Sequence, residues 1–206
     1  MIFRFLFFTF TASLLAHMEF VTPYHRRSKF SPYYQQTNNV DYDGLNPLGS
    51  KAGFTYPFPC KGHAKGPVQA SYQAGSSIAV ALTGSAKHNG GHCQFALSYD
   101  DKKFVVLKDV FTNCIIDSVN YSIPLPGNIP PSKNATLVWG WINAVGNREW
   151  YMNCIDIEIT GGTSGGKLTG KEMLVANLPG YPVFEEFSIA GPQLEKFNSR
   201  NTISIP

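Results

Sequence analysis

From residue 77 onward, apolar and polar positions alternate in short runs, and each run predicts a β-strand. In 77–83, Ile78, Val80 and Leu82 share one face. After a turn at 88–92 the alternation resumes in 93–99, and 104–107 follows the polar turn 100–103. A shorter strand is predicted at 121–124. The strongest signal is 135–143, where Leu137, Trp139 and Trp141 fall on one side of a run rich in β-formers. In 154–159 isoleucines and acids alternate, which predicts Ile155, Ile157 and Ile159 inward and Asp156 and Glu158 outward.

The flanking text lacks this rhythm. Residues 22–67 are dense in Pro, Gly, Tyr, Asn and Ser, which predicts a long ordered loop region after a short strand near 17–21. The run Gly-Gly-Thr-Ser-Gly-Gly at 161–166 predicts a flexible linker over 161–170. The tail 171–206 is expected to be partly ordered, with 172–176 able to add a strand or pack on the core. Many short strands and no long amphipathic helix predict an all-β fold, an antiparallel immunoglobulin/fibronectin-like sandwich over 17–160 with long loops.

The N-terminus changes the picture next. Arg4 followed by an apolar run ending at Leu15-Ala16 predicts a signal peptide over 1–16, too short to span a bilayer. Cleavage after Ala16 makes His17 the first residue of a secreted, extracellular protein. The charge, 17 − 14 = +3 for the 206 residues, or +2 once Arg4 is removed, argues against nucleic-acid binding. No later stretch is apolar enough to cross a membrane. Cys60, Cys93, Cys114 and Cys154 predict two disulfides in a secreted chain, and no C-x-x-C pair suggests zinc. Asn120 and Asn134 each begin a glycosylation sequon.

An N-terminal histidine offers an α-amine and an imidazole in one chelating unit, and the amine titrates near neutrality. His88, in the glycine-rich loop 84–91, adds a second imidazole. Three nitrogens in a tetragonal arrangement suit Cu(II). Each residue has a plainer reading: His17 as an accident of processing, His88 as a loop histidine, Tyr151 as a core aromatic, Glu149 as a solvated acid. His92 follows His88 by four residues, but Asn89-Gly90-Gly91 opposes the helix and lacks the glutamate of a zinc-protease motif. His25 and His63 are expected in solvated loops with no role.

Several blocks carry a resemblance. These are His17-Met18-Glu19, Phe58-Pro59-Cys60-Lys61-Gly62, the run 84–94 (Gly-Ser-Ala-Lys-His-Asn-Gly-Gly-His-Cys-Gln), Trp139-Gly140-Trp141-Ile142-Asn143, and the run 146–154 (Gly-Asn-Arg-Glu-Trp-Tyr-Met-Asn-Cys). In their order and spacing they resemble fungal lytic polysaccharide monooxygenases, closest to the chitin-active auxiliary activity family eleven and its secreted, effector-like members. The resemblance spans about 17–159, and the tail is similar to extensions found in those members. It implies a copper ion held in a histidine brace by His17 and His88, with Tyr151 axial. It implies that Glu149 positions oxygen or peroxide, and that Cys60 pairs with Cys154 and Cys93 with Cys114. The implied partners are chitin or a related polysaccharide, an electron donor, and oxygen or hydrogen peroxide, acted on by a monomer.

The chain also departs from the family pattern. His92 stands where a small residue is usual, next to the candidate metal loop. The strand reads Trp-Gly-Trp where Trp-Thr-Trp is usual, and the surroundings of Cys114 differ. Tyr24, Tyr33, Tyr34 and Trp150 are candidates for substrate contact. Two other readings keep the fold: a non-catalytic copper-binding protein, and a secreted fungal virulence effector that binds host proteins. A hydrolase is disfavoured, since no G-x-S-x-G elbow and no suitable carboxylate pair is present.

Overall fold

The structure, a computed structural model, describes residues 18–51 and 54–206. The expected signal peptide (1–16) and His17 lie outside the described residues. In chain order the elements are β1 (Met18–Thr22), α1 (Pro32–Gln36), β2 (Gly49–Lys51), β3 (Phe54–Tyr56), a 3₁₀ turn (Cys60–Gly62), β4 (Ala70–Gln73), β5 (Ser77–Gly84) and β6 (Gly91–Ser98). There follow β7 (Val105–Val110), β8 (Asn120–Pro124), β9 (Ser132–Asn143), β10 (Trp150–Thr160), β11 (Leu168–Lys171), α2 (Glu195–Asn198) and β12 (Thr202–Ile205).

Two sheets form the sandwich, one ordered β1-β5-β8 and the other β4-β10-β9-β6-β7. All neighbours are antiparallel except β4, which joins the edge of β10 in parallel and which the alternation pattern did not reveal. The expected facing is observed. Leu137, Trp139 and Trp141 of β9 and Ile155, Ile157 and Ile159 of β10 pack against Phe20, Ile78, Val80 and Leu82 of the smaller sheet. The Phe20 ring meets the Trp139 ring edge-on at 6.3 Å. Both disulfides form, Cys60–Cys154 and Cys93–Cys114. The first ties the long loop region to β10.

The outer face of the larger sheet departs from expectation, because two separate segments cover it. The first is the loop region after β1. Asp156, expected outward into solvent, is 1% exposed, and its carboxylate takes hydrogen bonds from Arg26 Nε and Nη2 at 2.7–3.2 Å. Of the histidines assigned to solvated loops, one is enclosed and the other is half-buried, and both are paired with a carboxylate. His25 is 3% exposed and pairs through Nε2 with Glu19 at 2.9 Å, and His63 pairs with Asp41 at 2.8 Å. Burial would raise the Glu19 pKa, but hydrogen bonds from His25 and Lys29 outweigh it and hold the carboxyl below its usual value. Lys61 is buried over the carbonyls of Asp43 and Gly44, and desolvation pulls its ammonium down to about 8. Such pairing is what allows charges inside a protein.

The second cover is the C-terminal segment. The stretch read as a linker turns tightly: a Cβ on Gly162 would lie 2.2 Å from the Ile129 carbonyl oxygen, and one on Gly166 2.1 Å from that of Asn128. Beyond it β11 pairs with β12, and Met173, Val175, Ala176, Phe184, Phe187 and Phe197 are buried against Ala96, Val138, Ile142 and Trp150. The tail is therefore a packed layer of the domain. Its apolar residues follow neither period two nor period 3.6, so no pattern announced it.

His92 is the anchor for this layer. It projects to the outer face, fully buried, and stacks on Phe187 at 4.3 Å with Phe111, Phe184 and Phe197 around it. Its Nδ1 accepts the Thr112 N–H at 3.1 Å, and its Nε2–H donates to the Pro192 carbonyl at 2.7 Å. The ring is thus neutral, and burial pulls its pKa down to about 4 from 6.5. The folded-state pKa is depressed, so its contribution is present in full above pH 6.5. It is lost as pH falls toward 4, because only the unfolded chain then takes up the proton. The loss amounts to roughly 3 kcal/mol. Melting curves of wild type and His92→Gln are expected to differ in slope against pH between 6.5 and 4. Parallel curves across that window would show that His92 does not titrate differently on folding.

Of the two sequon asparagines, Asn120 is exposed at the start of β8. Asn134 is half-buried in β9, where its Nδ2 donates to the Gly66 carbonyl at 3.3 Å.

Candidate metal centre

One end of the sandwich gathers the candidate residues. Met18 pairs with Gly84, so the first described residue lies where β5 gives way to the loop bearing His88. At the same end β6 starts at Gly91, opposite Asn143 where β9 stops, and β10 starts at Trp150, opposite Ile142.

The loop geometry explains its glycines. His88, Asn89, Gly90 and Gly91 all have positive φ (43°, 53°, 90° and 139°). A Cβ on Gly90 would lie 2.3 Å from the Thr112 carbonyl oxygen, and one on Gly91 2.1 Å from that of Ile142. Only glycine fits so close to another backbone. His88 has no such excuse, and a left-handed backbone there costs about 1–2 kcal/mol. Surrounding bonds hold it: Val145 N–H donates to the His88 carbonyl and Ala144 N–H to that of Gly90, both at 3.1 Å.

His88 Nδ1 lies 2.9 Å from the Val145 carbonyl oxygen. A carbonyl only accepts, so Nδ1 carries the proton and the neutral ring keeps its lone pair on Nε2. Nε2 is 3.5 Å from the Tyr151 hydroxyl oxygen and 3.9 Å from Glu149 Oε2. The Tyr151 hydroxyl in turn donates to Glu149 Oε2 at 2.6 Å. Tyr151 is 1% exposed, with the Trp141 ring 4.5 Å away. Burial first, and then the Glu149 carboxylate, push the Tyr151 pKa far up, so the phenol stays protonated. Glu149 is only 6% exposed, which removes its reading as a solvated loop acid.

This arrangement suits part of a metal site. A ring whose Nδ1–H is spent on a carbonyl presents Nε2 as a ligand, the second-sphere pattern typical of metal-bound histidine. Among the described residues no group of three or more His, Cys, Asp or Glu side chains could hold a metal ion. The donors present are one imidazole nitrogen and one phenol oxygen. Completing the site needs further nitrogens, and His17, the residue expected to bring them, lies outside the described residues.

The remaining candidates separate. Trp150 is fully buried: it lies on the outer face beside Gly140, where a Cβ would sit 2.6 Å from its ring. That contact accounts for the glycine between Trp139 and Trp141, and it removes Trp150 from substrate contact. Tyr34 is 3% exposed and is likewise removed, whereas Tyr33 is 47% exposed. Tyr24 is half-buried. His92 serves the C-terminal layer and not the candidate centre. Asn143, fully buried, was missed. Its Nδ2 donates to the carbonyls of Val145 (3.0 Å) and Asn147 (2.7 Å), and its Oδ1 accepts the Glu149 N–H (3.2 Å). Its place at the end of the strongest strand, four residues before Asn147, was the available signal.

Comparison with known proteins gives a consistent result. No family model matches the chain. AA11 family lytic polysaccharide monooxygenase A of Aspergillus fumigatus is 42% identical over 158 residues, covering 74% of this chain and 69% of that protein. AA11 family lytic polysaccharide monooxygenase B of the same species is 36% identical, covering 52% of this chain and 31% of its own length. The AA11 family lytic polysaccharide monooxygenase of Aspergillus oryzae is 32% identical, covering 62% and 35%. The chain thus spans about a third of the latter two relatives. A solved structure, the extended catalytic domain of H. jecorina LPMO9A, overlaps 49% of this chain and 50% of its own at 19% identity and a TM-score of 0.38, too loosely to carry weight.

Proposed function

The chain belongs to the AA11 family of lytic polysaccharide monooxygenases, and on that premise we propose that it is a secreted copper-dependent enzyme that oxidatively cleaves chitin or a related polysaccharide. The observation that carries this reading is the convergence of His88 Nε2, the Tyr151 hydroxyl and Glu149 Oε2, with the His88 tautomer set by Val145. In this reading His88 would hold one copper ion through Nε2 together with the amine and imidazole of His17, a nitrogen donor set that suits Cu(II), and the Tyr151 hydroxyl would stand beside it. Bound copper supplies one-electron redox chemistry toward a glycosidic C–H bond, drawing on an external electron donor and on oxygen or hydrogen peroxide.

The protein's own residues prepare that chemistry. The Val145 carbonyl takes the Nδ1 proton and so fixes the ring and strengthens Nε2 as a donor. Tyr151 keeps its proton, shared with Glu149 Oε2, and offers a neutral oxygen beside the imidazole. Glu149 holds a carboxylate 3.9 Å from Nε2, where it can orient a small oxygen species. Trp141, fully buried and stacked on Trp139 at 5.9 Å, packs against the Tyr151 ring and holds it in place.

The test is product analysis. Copper-loaded protein beginning at His17, given β-chitin and ascorbate, is expected to release oxidised chito-oligosaccharides detectable by mass spectrometry, with none formed when ascorbate is omitted. Stoichiometric copper binding without oxidised products from chitin or any other polysaccharide would leave a copper-binding protein and remove the enzyme.

A further inference from the structure

Residues 144–149, between β9 and β10, supply both the carbonyl that fixes the His88 ring and the backbone of Glu149. The His88 ring lies directly against this loop: a Cβ on Gly146 would come within 3.0 Å of its Nδ1. A shift of the loop therefore moves the ring.

The C-terminal layer grips this loop from the outside. Phe187 N–H donates to the Ala144 carbonyl at 3.1 Å, Glu186 Oε1 accepts the Gly146 N–H at 2.8 Å, and Asn177 Nδ2 donates to the Glu149 carbonyl at 3.0 Å. Arg148 joins the two segments, donating to the Gly146 carbonyl (2.8 and 3.1 Å) and to that of Glu185 (3.2 Å). The grip is preformed. Asn177 takes a positive φ of 57°, its N–H bonds the Pro182 carbonyl at 2.8 Å, and its Oδ1 accepts the Phe184 N–H at 2.9 Å. The buried rings of Phe184 and Phe187 then fix the segment against His92.

We infer that the segment 177–187 is a positioning strap for His88 and Glu149, with Asn177 as its principal positioning residue. The inference rests on the reading of His88 and Glu149 as the metal centre. The strap reaches the backbone on both sides of Val145 and at Glu149, so it sets where the imidazole and the carboxylate stand relative to each other. Groups hydrogen-bonded directly to a metal ligand change metal affinity by about 10–100-fold, and the strap, one bond further out, falls at the low end of that range.

The test uses two substitutions that the positive φ tolerates. Asn177→Asp keeps the acceptor for Phe184 but sets a carboxylate oxygen against the Glu149 carbonyl, while Asn177→Gly removes both side-chain bonds without backbone strain. Cu(II) alone is the probe, read by calorimetry and by electron paramagnetic resonance of the protein beginning at His17, with copper-free melting temperature as control. The strap predicts that Asn177→Asp shifts the Cu(II) hyperfine pattern and weakens binding by about tenfold, while the copper-free protein melts within a few degrees of wild type. Wild-type spectra and affinity in both variants, alongside a His88→Asn variant that loses copper, would overturn the strap and leave the centre standing. Wild-type copper binding by His88→Asn would instead overturn the centre, and the strap with it.

Discussion

Replacing His88 with asparagine is expected to lower Cu(II) affinity by more than the 10–100-fold typical of an outer-sphere change, about 100-fold at the least. The copper-free fold should be nearly unaffected. Asparagine is chosen because His88 has φ +43°, a region where asparagine is among the best tolerated residues. It is also too short to offer a nitrogen where Nε2 stands. A loss is also expected when one residue is added before His17, because the nitrogen that was the α-amine becomes a peptide amide, which must lose a far less acidic proton before it can bind the metal. Calorimetry at neutral pH, with and without each change, separates the contributions. Equal losses in both proteins identify a chelate that needs all its nitrogens together. Tight binding retained by the extended protein would remove the amine from the site, and binding retained by His88→Asn would move the site elsewhere.

The parts of this centre were legible in the sequence to different degrees. Tyr151 could be placed because its parity with Ile155 and Ile157 sends it inward at the same end as the His88 loop. Glu149 could not be placed by pattern, since nothing in a loop acid's sequence says whether water reaches it. Its backbone is held by Asn143 and by Asn177, the latter 28 residues further on, and its carboxylate accepts the Tyr151 hydroxyl. The sandwich itself was legible because side chains alternate across a strand: β5 alternates buried and exposed positions, and in β9 and β10, although both faces are buried, every second residue from Leu137 to Trp141 and from Ile155 to Ile159 still marks the inward side. The outer face was not. Charged residues such as Glu19, Arg26, Lys61 and Asp156 are enclosed by tertiary pairing, which leaves no periodic trace. His92 illustrates the difficulty from the other side: adjacent to the candidate metal loop in sequence, it sits across the strand in a cage formed by Phe111, Phe187 and Phe197.

Removing one partner of the Arg26–Asp156 pair is expected to cost about 3–5 kcal/mol, the range for breaking a buried ion pair. In a domain of this size that corresponds to a melting temperature lower by roughly 10 °C. Both groups are almost fully enclosed, at 2% and 1% exposure. Arg26 also bonds Thr136 Oγ1 at 2.9 Å, the His63 carbonyl at 3.0 Å and Asp101 at 2.9 Å, and Asp156 Oδ2 accepts the Gly66 N–H at 2.7 Å. Arg26→Leu leaves Asp156 a buried anion facing one backbone N–H. Asp156→Leu leaves the guanidinium with Asp101 as its remaining carboxylate and strips Gly66 of its acceptor. The double variant should recover part of the loss, because replacing both charges by apolar groups removes the desolvation cost of each. Asp156 stands five residues along β10 from Tyr151, about 17 Å at the rise of an extended strand. The loss should therefore fall on stability, with Cu(II) affinity and spectrum at 25 °C unchanged. Denaturant unfolding of both single variants and the double variant gives the coupling directly. Single-variant losses under about 1 kcal/mol would place the pair with ordinary surface ion pairs, and the loops after β1 would then be held to the sheet chiefly by the Cys60–Cys154 disulfide.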